Sequence, residues 1–109
     1  MSKIYVVTMR WIQTPQNPEM IDAVLAQHGD WIRWNGWTWF VHTQDQPSKV
    51  REAILRRLTN QDSLFIAEIN NSGLEGWAPQ WLWQWFQSRM ETQYPVPTPS
   101  LSDLFGGKK

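Results

Sequence analysis

The segment from Trp31 to Phe40 carries four of the nine tryptophans in this chain of 109 residues. Asn35-Gly36 lies at its centre, between two runs in which aromatic residues alternate with other types. Asn-Gly is preferred in two-residue hairpin turns because both turn positions of a type I′ turn need a positive φ. The segment therefore predicts a β-hairpin.

A two-residue turn at Asn35-Gly36 also sets the pairing of the two strands. Trp34 is expected to face Trp37, and Trp31 is expected to face Phe40. Because side chains alternate along a strand, this pairing divides the hairpin into two faces. One face then carries Trp31, Arg33, Thr38, Phe40 and His42, and the other carries Ile32, Trp34, Trp37, Trp39 and Val41.

A strand and a helix are predicted before the hairpin. β-Branched and aromatic residues predict a strand from Ile4 to Trp11. Asn17 followed by Pro18 is typical of a helix start, and Gly29 is typical of a helix end. The helix is expected to run to about His28, and its inner face is formed by Ile21, Val24, Leu25 and His28.

A second helix and a fourth strand are predicted after the hairpin. Pro47 indicates the helix start, and Val50, Ile54 and Leu58 form its inner stripe. The residues from Ser63 to Ile69 predict a strand. The resulting order is that of ferredoxin-like βαββαβ domains, an α+β fold with a four-stranded antiparallel sheet and two helices on one face.

The sheet face opposite the helices is expected to be apolar. We assign Trp31, Phe40, Leu64 and Ile66 to this face. An exposed apolar patch of this kind usually marks an interaction site. The sequence therefore predicts a homodimer with these four residues at its interface.

The residues after the fourth strand predict a helix and a tail. Trp81, Trp83 and Trp85 alternate as in a strand, but the preceding proline and the i,i+4 aromatic pairs favour a helix over 80–90. The domain is predicted to span residues 1–90, and a Pro-rich flexible tail to span 91–109. The apolar island formed by Leu101, Leu104 and Phe105 is expected either to dock a protein partner or to pack on the domain.

Charge and composition exclude several classes of protein. Ten basic and ten acidic residues give a formal net charge of zero, which argues against strong non-specific nucleic-acid binding. The chain has no cysteine, so disulfides and thiolate metal sites are excluded. The sequence shows neither a signal-peptide pattern nor an apolar stretch that could span a bilayer. We expect a soluble cytoplasmic protein that does not bind membranes.

Three segments resemble the small SinR-like proteins. They are residues 37–43 (Trp-Thr-Trp-Phe-Val-His-Thr), 60–66 (Asn-Gln-Asp-Ser-Leu-Phe-Ile) and 76–79 (Gly-Trp-Ala-Pro). SinR-like proteins are similar in turn to the second CRISPR-adaptation protein and to the VapD-type toxin ribonucleases. The resemblance covers about residues 3–90 and implies a ferredoxin-like fold.

The resemblance also bears on catalysis. In the nucleases of this wider group, an aspartate that closes the first strand is held to bind metal across a dimer interface. The matching stretch here is Val7-Thr8-Met9-Arg10-Trp11, which has no carboxylate. We therefore expect no metal, no cofactor and no metal-dependent nuclease activity, and we favour a protein that is not an enzyme.

Basic and aromatic side chains indicate a candidate nucleic-acid surface. Arg33 and His42 share a predicted sheet face, and Arg10 joins them if it points the same way. Several RNA-binding folds stack bases and hold phosphates with such side chains, whereas a dimer interface with peripheral charges explains the same residues. His28 is predicted to be a packed core histidine, and Asp62 a turn aspartate that bonds to its own backbone.

Three functions follow from these observations. The first is a non-catalytic homodimeric binding protein of SinR-like type that acts on a protein or on RNA or DNA. The second is a ribonuclease or nucleic-acid-binding protein of the toxin or CRISPR-adaptation kind, which uses Arg10, Arg33 and His42 without metal. The third is a phage or mobile-element inhibitor or immunity factor that docks a target through its tail.

Overall fold

The computed structural model describes residues 2–70 and 75–89 of the chain. The chain divides into two compact units, Met1–Ile69 and Asn70–Lys109. The predicted domain end at residue 90 and the tail with Leu101, Leu104 and Phe105 lie outside the described residues. The elements are β1 (Lys3–Arg10), α1 (Pro18–Ala26), β2 (Gly29–Asn35), β3 (Thr38–Thr43), α2 (Pro47–Leu55), β4 (Ser63–Ile69) and α3 (Gln80–Arg89).

The four strands form one antiparallel sheet in the order β2-β3-β1-β4. β1 is a central strand, in which Val7 lies opposite Trp39 of β3 on one side and Ile66 of β4 on the other. β2 and β4 are the two edge strands of this sheet. The predicted α+β class and the four-stranded antiparallel sheet are confirmed.

The two helices of the first unit begin at the predicted prolines. Pro18 and Pro47 occupy the first turns of α1 and α2, where a missing backbone N–H removes no intrahelical hydrogen bond. α1 ends at Ala26, slightly before the predicted end near His28. Asn17 precedes the helix, but its side chain makes no capping hydrogen bond.

The core of the first unit lies between these helices and one face of the sheet. Trp39 is 0% exposed at its centre, as the sequence predicted. Both helices contribute to the same cluster, so they pack on the same side of the sheet. The buried members are Tyr5, Val7, Met9, Ile21, Val24, Leu25, Trp39, Val41, Val50 and Ile54.

The hairpin turn lies one residue later than predicted. Asn35 pairs with Thr38, so Gly36 and Trp37 are the two turn residues. The Trp37 backbone N–H donates to the Asn35 side-chain Oδ1 at 2.9 Å. The φ angle of Gly36 lies outside the left-handed range. The turn is thus stabilised by the Asn35 side chain, which bonds to the backbone two residues further on.

A β-bulge between Arg33 and Asn35 changes the pairing of β2 with β3. A turn at Gly36-Trp37 would by itself pair Trp31 with His42, and the extra residue that the bulge places in β2 pairs Trp31 with Val41, whereas Phe40 was the predicted partner. The predicted register was wrong by one residue. Because side chains alternate between faces, this shift places the β2 side chains before the bulge, Trp31 and Arg33 among them, on the side of the sheet opposite to the predicted one.

The predicted grouping of Trp31, Phe40, Leu64 and Ile66 on the helix-free face is wrong. Trp31, Leu64 and Ile66 are half-buried and pack against the core on the helix side. Phe40 pairs with Val6 on the opposite face. For Trp31 the cause is the bulge. For β4 the cause is that both of its faces are apolar, so alternation alone does not show which face meets the helices.

The second unit contains the predicted Trp-rich helix. α3 spans Gln80–Arg89, which confirms a helix rather than a strand in this segment. Within this unit the Trp83 Nε1–H donates to the Ala78 carbonyl at 3.1 Å, and the Arg89 guanidinium lies 4.6 Å from the Trp85 ring centroid. Among the described residues, no helix is long and apolar enough to cross a bilayer.

Candidate functional site

One end of the sheet brings together the end of β1, the loop after it and the hairpin turn. We call this region the hairpin end. It comprises Arg10, Trp11, Ile12, Gln16, Trp34 and Trp37. β1 and β3 are antiparallel, so the last residues of β1 lie beside the first residues of β3. The loop that follows β1 therefore lies next to the hairpin turn that precedes β3.

Backbone and side-chain hydrogen bonds fix the hairpin turn to β1 and its loop. The Trp37 carbonyl accepts from the Met9 N–H at 2.8 Å and from the Thr8 hydroxyl at 3.2 Å. The Gly36 carbonyl accepts from the Trp11 indole N–H at 2.9 Å. The turn is therefore held in place before any ligand binds.

Gly36 permits the close approach of the loop to the turn. The Gln16 Nε2 donates to the Gly36 carbonyl at 3.4 Å. A Cβ atom added to Gly36 would lie only 2.2 Å from that Gln16 nitrogen. A side chain at this position would therefore require the exposed end of the Gln16 side chain to move away from the turn.

A pocket of about 340 Å³ lies at the hairpin end. Its lining consists of Met9, Arg10, Trp11, Gln16 and Trp37. Trp37, which lines the pocket, is 52% exposed, and the hairpin end carries two further exposed apolar side chains, Ile12 at 53% and Trp34 at 38%. Among residues 2–70 and 75–89, Arg10 has no ion-pair partner. The pocket thus combines flat aromatic surface, an amide and an unneutralised positive charge.

Asp62 ties the loop after β1 to the turn before β4. Its carboxylate accepts from the backbone N–H groups of Ile12, Gln13 and Thr14 at 2.8 to 3.2 Å and from the Thr14 hydroxyl. It also accepts from the backbone N–H and the hydroxyl of Thr59 at 3.0 and 3.1 Å. The predicted local turn bond is present, but the longer-range bonds to the loop were not predicted.

These hydrogen bonds change the acidity of Asp62. The Thr14 hydroxyl has the largest effect in lowering the pKa of the carboxyl group far below its usual range, and the N–H groups of Thr59, Ile12 and Gln13 add to it. A carboxylate that accepts several donors is stabilised in its charged form. Asp62 is therefore a structural anion that positions the loop carrying Ile12, rather than a proton donor.

The opposite end of the sheet, which we call the closed end, is formed by Tyr5, His28, Thr43 and Asp45. The His28 Nδ1 lies 2.7 Å from the Asp45 carboxylate, and the Tyr5 hydroxyl donates to the Asp45 carbonyl at 2.9 Å. The Thr43 hydroxyl donates to the His28 carbonyl at 2.7 Å. The hydrogen bond from His28 lowers the pKa of the Asp45 carboxyl group. His28 is mostly buried, as predicted, but it is paired with Asp45, which the sequence did not indicate.

The structure does not bring together the three predicted nucleic-acid residues. Arg10 and His42 lie on the helix-free face of the sheet, since Ile4 pairs with His42 and shares its face with Arg10. Arg33 pairs with Trp39 on the helix face. Its guanidinium lies 3.5 Å from the Asp22 carboxylate of α1. The bulge in β2 is again the reason, because it reverses the side of Arg33.

Sequence reasoning missed part of the hairpin end. Trp37 was assigned to a strand pair, whereas it lies in the turn, and Gln16 and Ile12 lie in a loop that carries no motif. The aromatic Asn-Gly segment and the position of Arg10 at the end of a strand were the available signals. The contact of the loop with the turn is a tertiary feature without a local pattern.

Comparisons with known proteins do not name a function for this site. No protein-family model matches the chain, and no curated protein and no solved structure is significantly similar to it. Within the part of the chain that the structure describes, no three His, Asp or Glu side chains converge in a way that could hold a metal ion. Functional interpretation therefore depends on the geometry of the hairpin end.

Proposed function

We propose that this chain is a non-catalytic binding protein that acts through the hairpin end. The observation that carries the proposal is the exposure of Ile12, Trp34 and Trp37 at the hairpin end, where Trp37 and Arg10 line one pocket. Tryptophan and arginine are the residue types most enriched at binding hot spots. Clustered exposed apolar side chains usually mark an interaction site. The partner class is a protein or a nucleic acid.

Three aspartates of the first unit support a role in binding rather than catalysis. Asp62, next to the hairpin end, is occupied by hydrogen bonds that hold the loop. Asp45, at the other end, is occupied by His28. Asp22 accepts from the buried Trp39 indole at 2.7 Å. Each of these acids thus has a structural partner, and Arg10, Arg33 and His42 do not form one site for metal-free cleavage.

A ferredoxin-like fold is part of the same proposal. The βαββαβ order of the first unit, the strand order β2-β3-β1-β4 and the contribution of both helices to one core support it. The kinship with SinR-like proteins, and through them with the CRISPR-adaptation and VapD-type proteins, remains a prediction from the resembling segments.

We further propose that the protein is a homodimer. The four residues first predicted for its interface do not share a face, so the support comes from elsewhere. Phe65 is 64% exposed on the edge strand β4 and pairs with Thr8 of β1. An edge strand that carries an exposed apolar side chain is a common site of strand-to-strand association. An interface there leaves the pocket on the β3 side of β1 accessible.

Incubation with structured RNA tests the non-catalytic function. We expect the RNA to stay intact on a denaturing gel, with or without magnesium or manganese. An Asp62→Asn variant, checked for its fold by circular dichroism, is the matched control. Cleavage by the parent protein that disappears in this variant would contradict the proposal and place the chain among the nucleases.

Light scattering tests the homodimer. The parent protein is expected to show twice its monomer mass at micromolar concentration, and Phe65→Glu is expected to be monomeric. Leu55→Glu is the control, since Leu55 is an exposed apolar side chain that lies on α2 rather than on the edge strand β4. A monomeric parent protein, or a dimer that Phe65→Glu leaves intact, contradicts this interface.

A further inference from the structure

We propose that the pocket at the hairpin end binds a nucleotide, with its base stacked on the Trp37 indole and its phosphate held by Arg10. The inference rests on the proposed binding function and names the ligand chemistry of that surface. A nucleotide joins a flat aromatic ring to a negative charge, and these are the two features that the pocket complements.

The aromatic part of the site is the Trp37 side chain. Trp37 lines the pocket, and half of its surface is open to solvent, so one face of the ring system can accept a partner. Its backbone is fixed by Met9, Thr8 and Asn35. A planar side chain on a fixed backbone loses little conformational entropy when a base stacks on it, and stacking tolerates any base.

The Arg10 side chain indicates that the ligand carries a negative charge. Its guanidinium is exposed, and within the described residues no carboxylate neutralises it. Asp62 directly precedes Ser63, the residue that pairs with Arg10, and its carboxylate already accepts from six hydrogen-bond donors. A guanidinium forms paired, charge-assisted hydrogen bonds with phosphate oxygens. A ligand without a negative charge would form no ion pair with the Arg10 guanidinium.

The dimensions of the pocket and the neutral chain set the scale of binding. A volume of about 340 Å³ is at the small end of the range for small-molecule sites. It suits a single nucleotide rather than a duplex. Because Arg10 is the one basic side chain among the described lining residues, binding is expected to engage about one phosphate and to depend only weakly on salt. The Gln16 amide, at the rim of the turn, adds a polar group for the base edge.

Calorimetry with dissected ligands tests the proposal on the full chain. The probes are adenosine monophosphate, adenosine, ribose 5-phosphate and a short oligoadenylate. We expect adenosine monophosphate to bind more tightly than adenosine or ribose 5-phosphate, since each of these lacks one of the two contacts. Tighter binding of the oligoadenylate identifies a nucleic-acid strand as the source of the nucleotide. Equal or weaker binding identifies the free nucleotide.

Variants locate the site. Trp37→Ala should weaken binding of adenosine monophosphate about tenfold, as expected for the loss of one stacked base, and Trp37→Phe should restore most of it. Arg10→Ala should weaken binding of adenosine monophosphate but leave that of adenosine unchanged. Trp77→Ala and Arg57→Ala, which alter an exposed tryptophan and an exposed arginine that are not among the lining residues of the pocket, are the controls. Unchanged melting temperatures show that the variants fold.

Two readouts separate this inference from the proposed function. Adenosine monophosphate and oligoadenylate that do not bind, or that bind equally to Trp37→Ala and Arg10→Ala, overturn the inference. An oligoadenylate that is cleaved during the titration, as seen on a denaturing gel, overturns the non-catalytic function. Trp37-dependent binding of an intact probe supports both.

Discussion

The two ends of the sheet differ in how their side chains are used. At the closed end, His28, Asp45, Tyr5 and Thr43 satisfy one another through hydrogen bonds of 2.7 to 2.9 Å. At the hairpin end, Trp37 and its neighbours are held by their backbones while their side chains stay exposed. Polar groups that are paired stabilise a fold, whereas exposed apolar groups on a fixed backbone are ready for a partner.

The hairpin contains two tryptophans with different roles. Trp39 and Trp37 are two residues apart in the hairpin, yet one is fully buried and the other half-exposed. Trp39 has both packing and a hydrogen bond to Asp22 of α1. Trp37 lies in the turn before β3, and half of its surface is exposed. Aromatic content alone therefore does not separate a core residue from a binding residue.

The largest expected effect separates these two tryptophans. Trp39→Ala should lower the free energy of unfolding by about 3–5 kcal/mol, since it leaves a large cavity in a small core. Trp37→Ala should change it by less than about 0.5 kcal/mol, as expected for an exposed side chain. Urea unfolding of both variants measures the difference. Equal stabilities would show that burial does not distinguish the two positions.

Acid unfolding tests the loop anchor at the hairpin end. The pKa of the Asp62 carboxyl group is lowered in the folded protein, so the unfolded chain takes up a proton first as the pH falls. The stabilisation by Asp62 should be complete above about pH 5 and should decline as the pH falls below about 4, the ordinary value for an aspartate. Asp45 contributes with the same sign at the closed end.

Urea unfolding between pH 2 and pH 6 measures this dependence. Asp62→Asn should be less stable than the parent protein at neutral pH and should show a flatter pH profile. Its loss should exceed that of Asp45→Asn, because Asp62 holds more hydrogen bonds. If the free energy of unfolding of the parent protein does not decrease as the pH is lowered below 4, this account of the loop is contradicted.

A smaller effect tests the closed end. Tyr5→Phe removes only the hydroxyl that donates to the Asp45 carbonyl, and the ring stays in the core. The expected loss is about 1 kcal/mol, the typical net value of one hydrogen bond. Thr8→Val, which removes a hydroxyl at the hairpin end that donates to the Trp37 carbonyl, is the matched comparison. A larger loss of stability in Thr8→Val than in Tyr5→Phe would contradict the view that paired polar groups at the closed end contribute more to stability than those at the hairpin end.

The smallest effect concerns the two arginines first assigned to one surface. Arg33→Ala should cost no more than about 1 kcal/mol, because its ion pair with Asp22 is partly exposed to solvent. Arg10→Ala should leave stability unchanged and alter only ligand binding. Thermal melting combined with nucleotide titration checks both. Weaker nucleotide binding by Arg33→Ala would contradict its placement on the helix face.

Local sequence patterns predicted most of the secondary structure. Pro18, Pro47 and the alternation over Ser63–Ile69 placed two helix starts and one strand correctly. Propensity and i,i+4 spacing likewise identified α3 as a helix. These features depend on residues that are close together in the chain, and a local sequence pattern is therefore sufficient to predict them. For the candidate site, the sequence indicated Arg10 but neither the loop contacts of Gln16 nor the exposure of Trp37.

The sequence by itself thus determined the order of the elements, the absence of disulfides and the burial of Trp39. The tertiary structure decided which face of each edge strand meets the helices. A single bulge before Asn35 moved Trp31 and Arg33 to the helix side, and pairing with β1 placed Leu64 there as well. Alternation defines which side chains share a face, but only packing between elements selects the face that is buried, because both faces of these strands are apolar enough to compete.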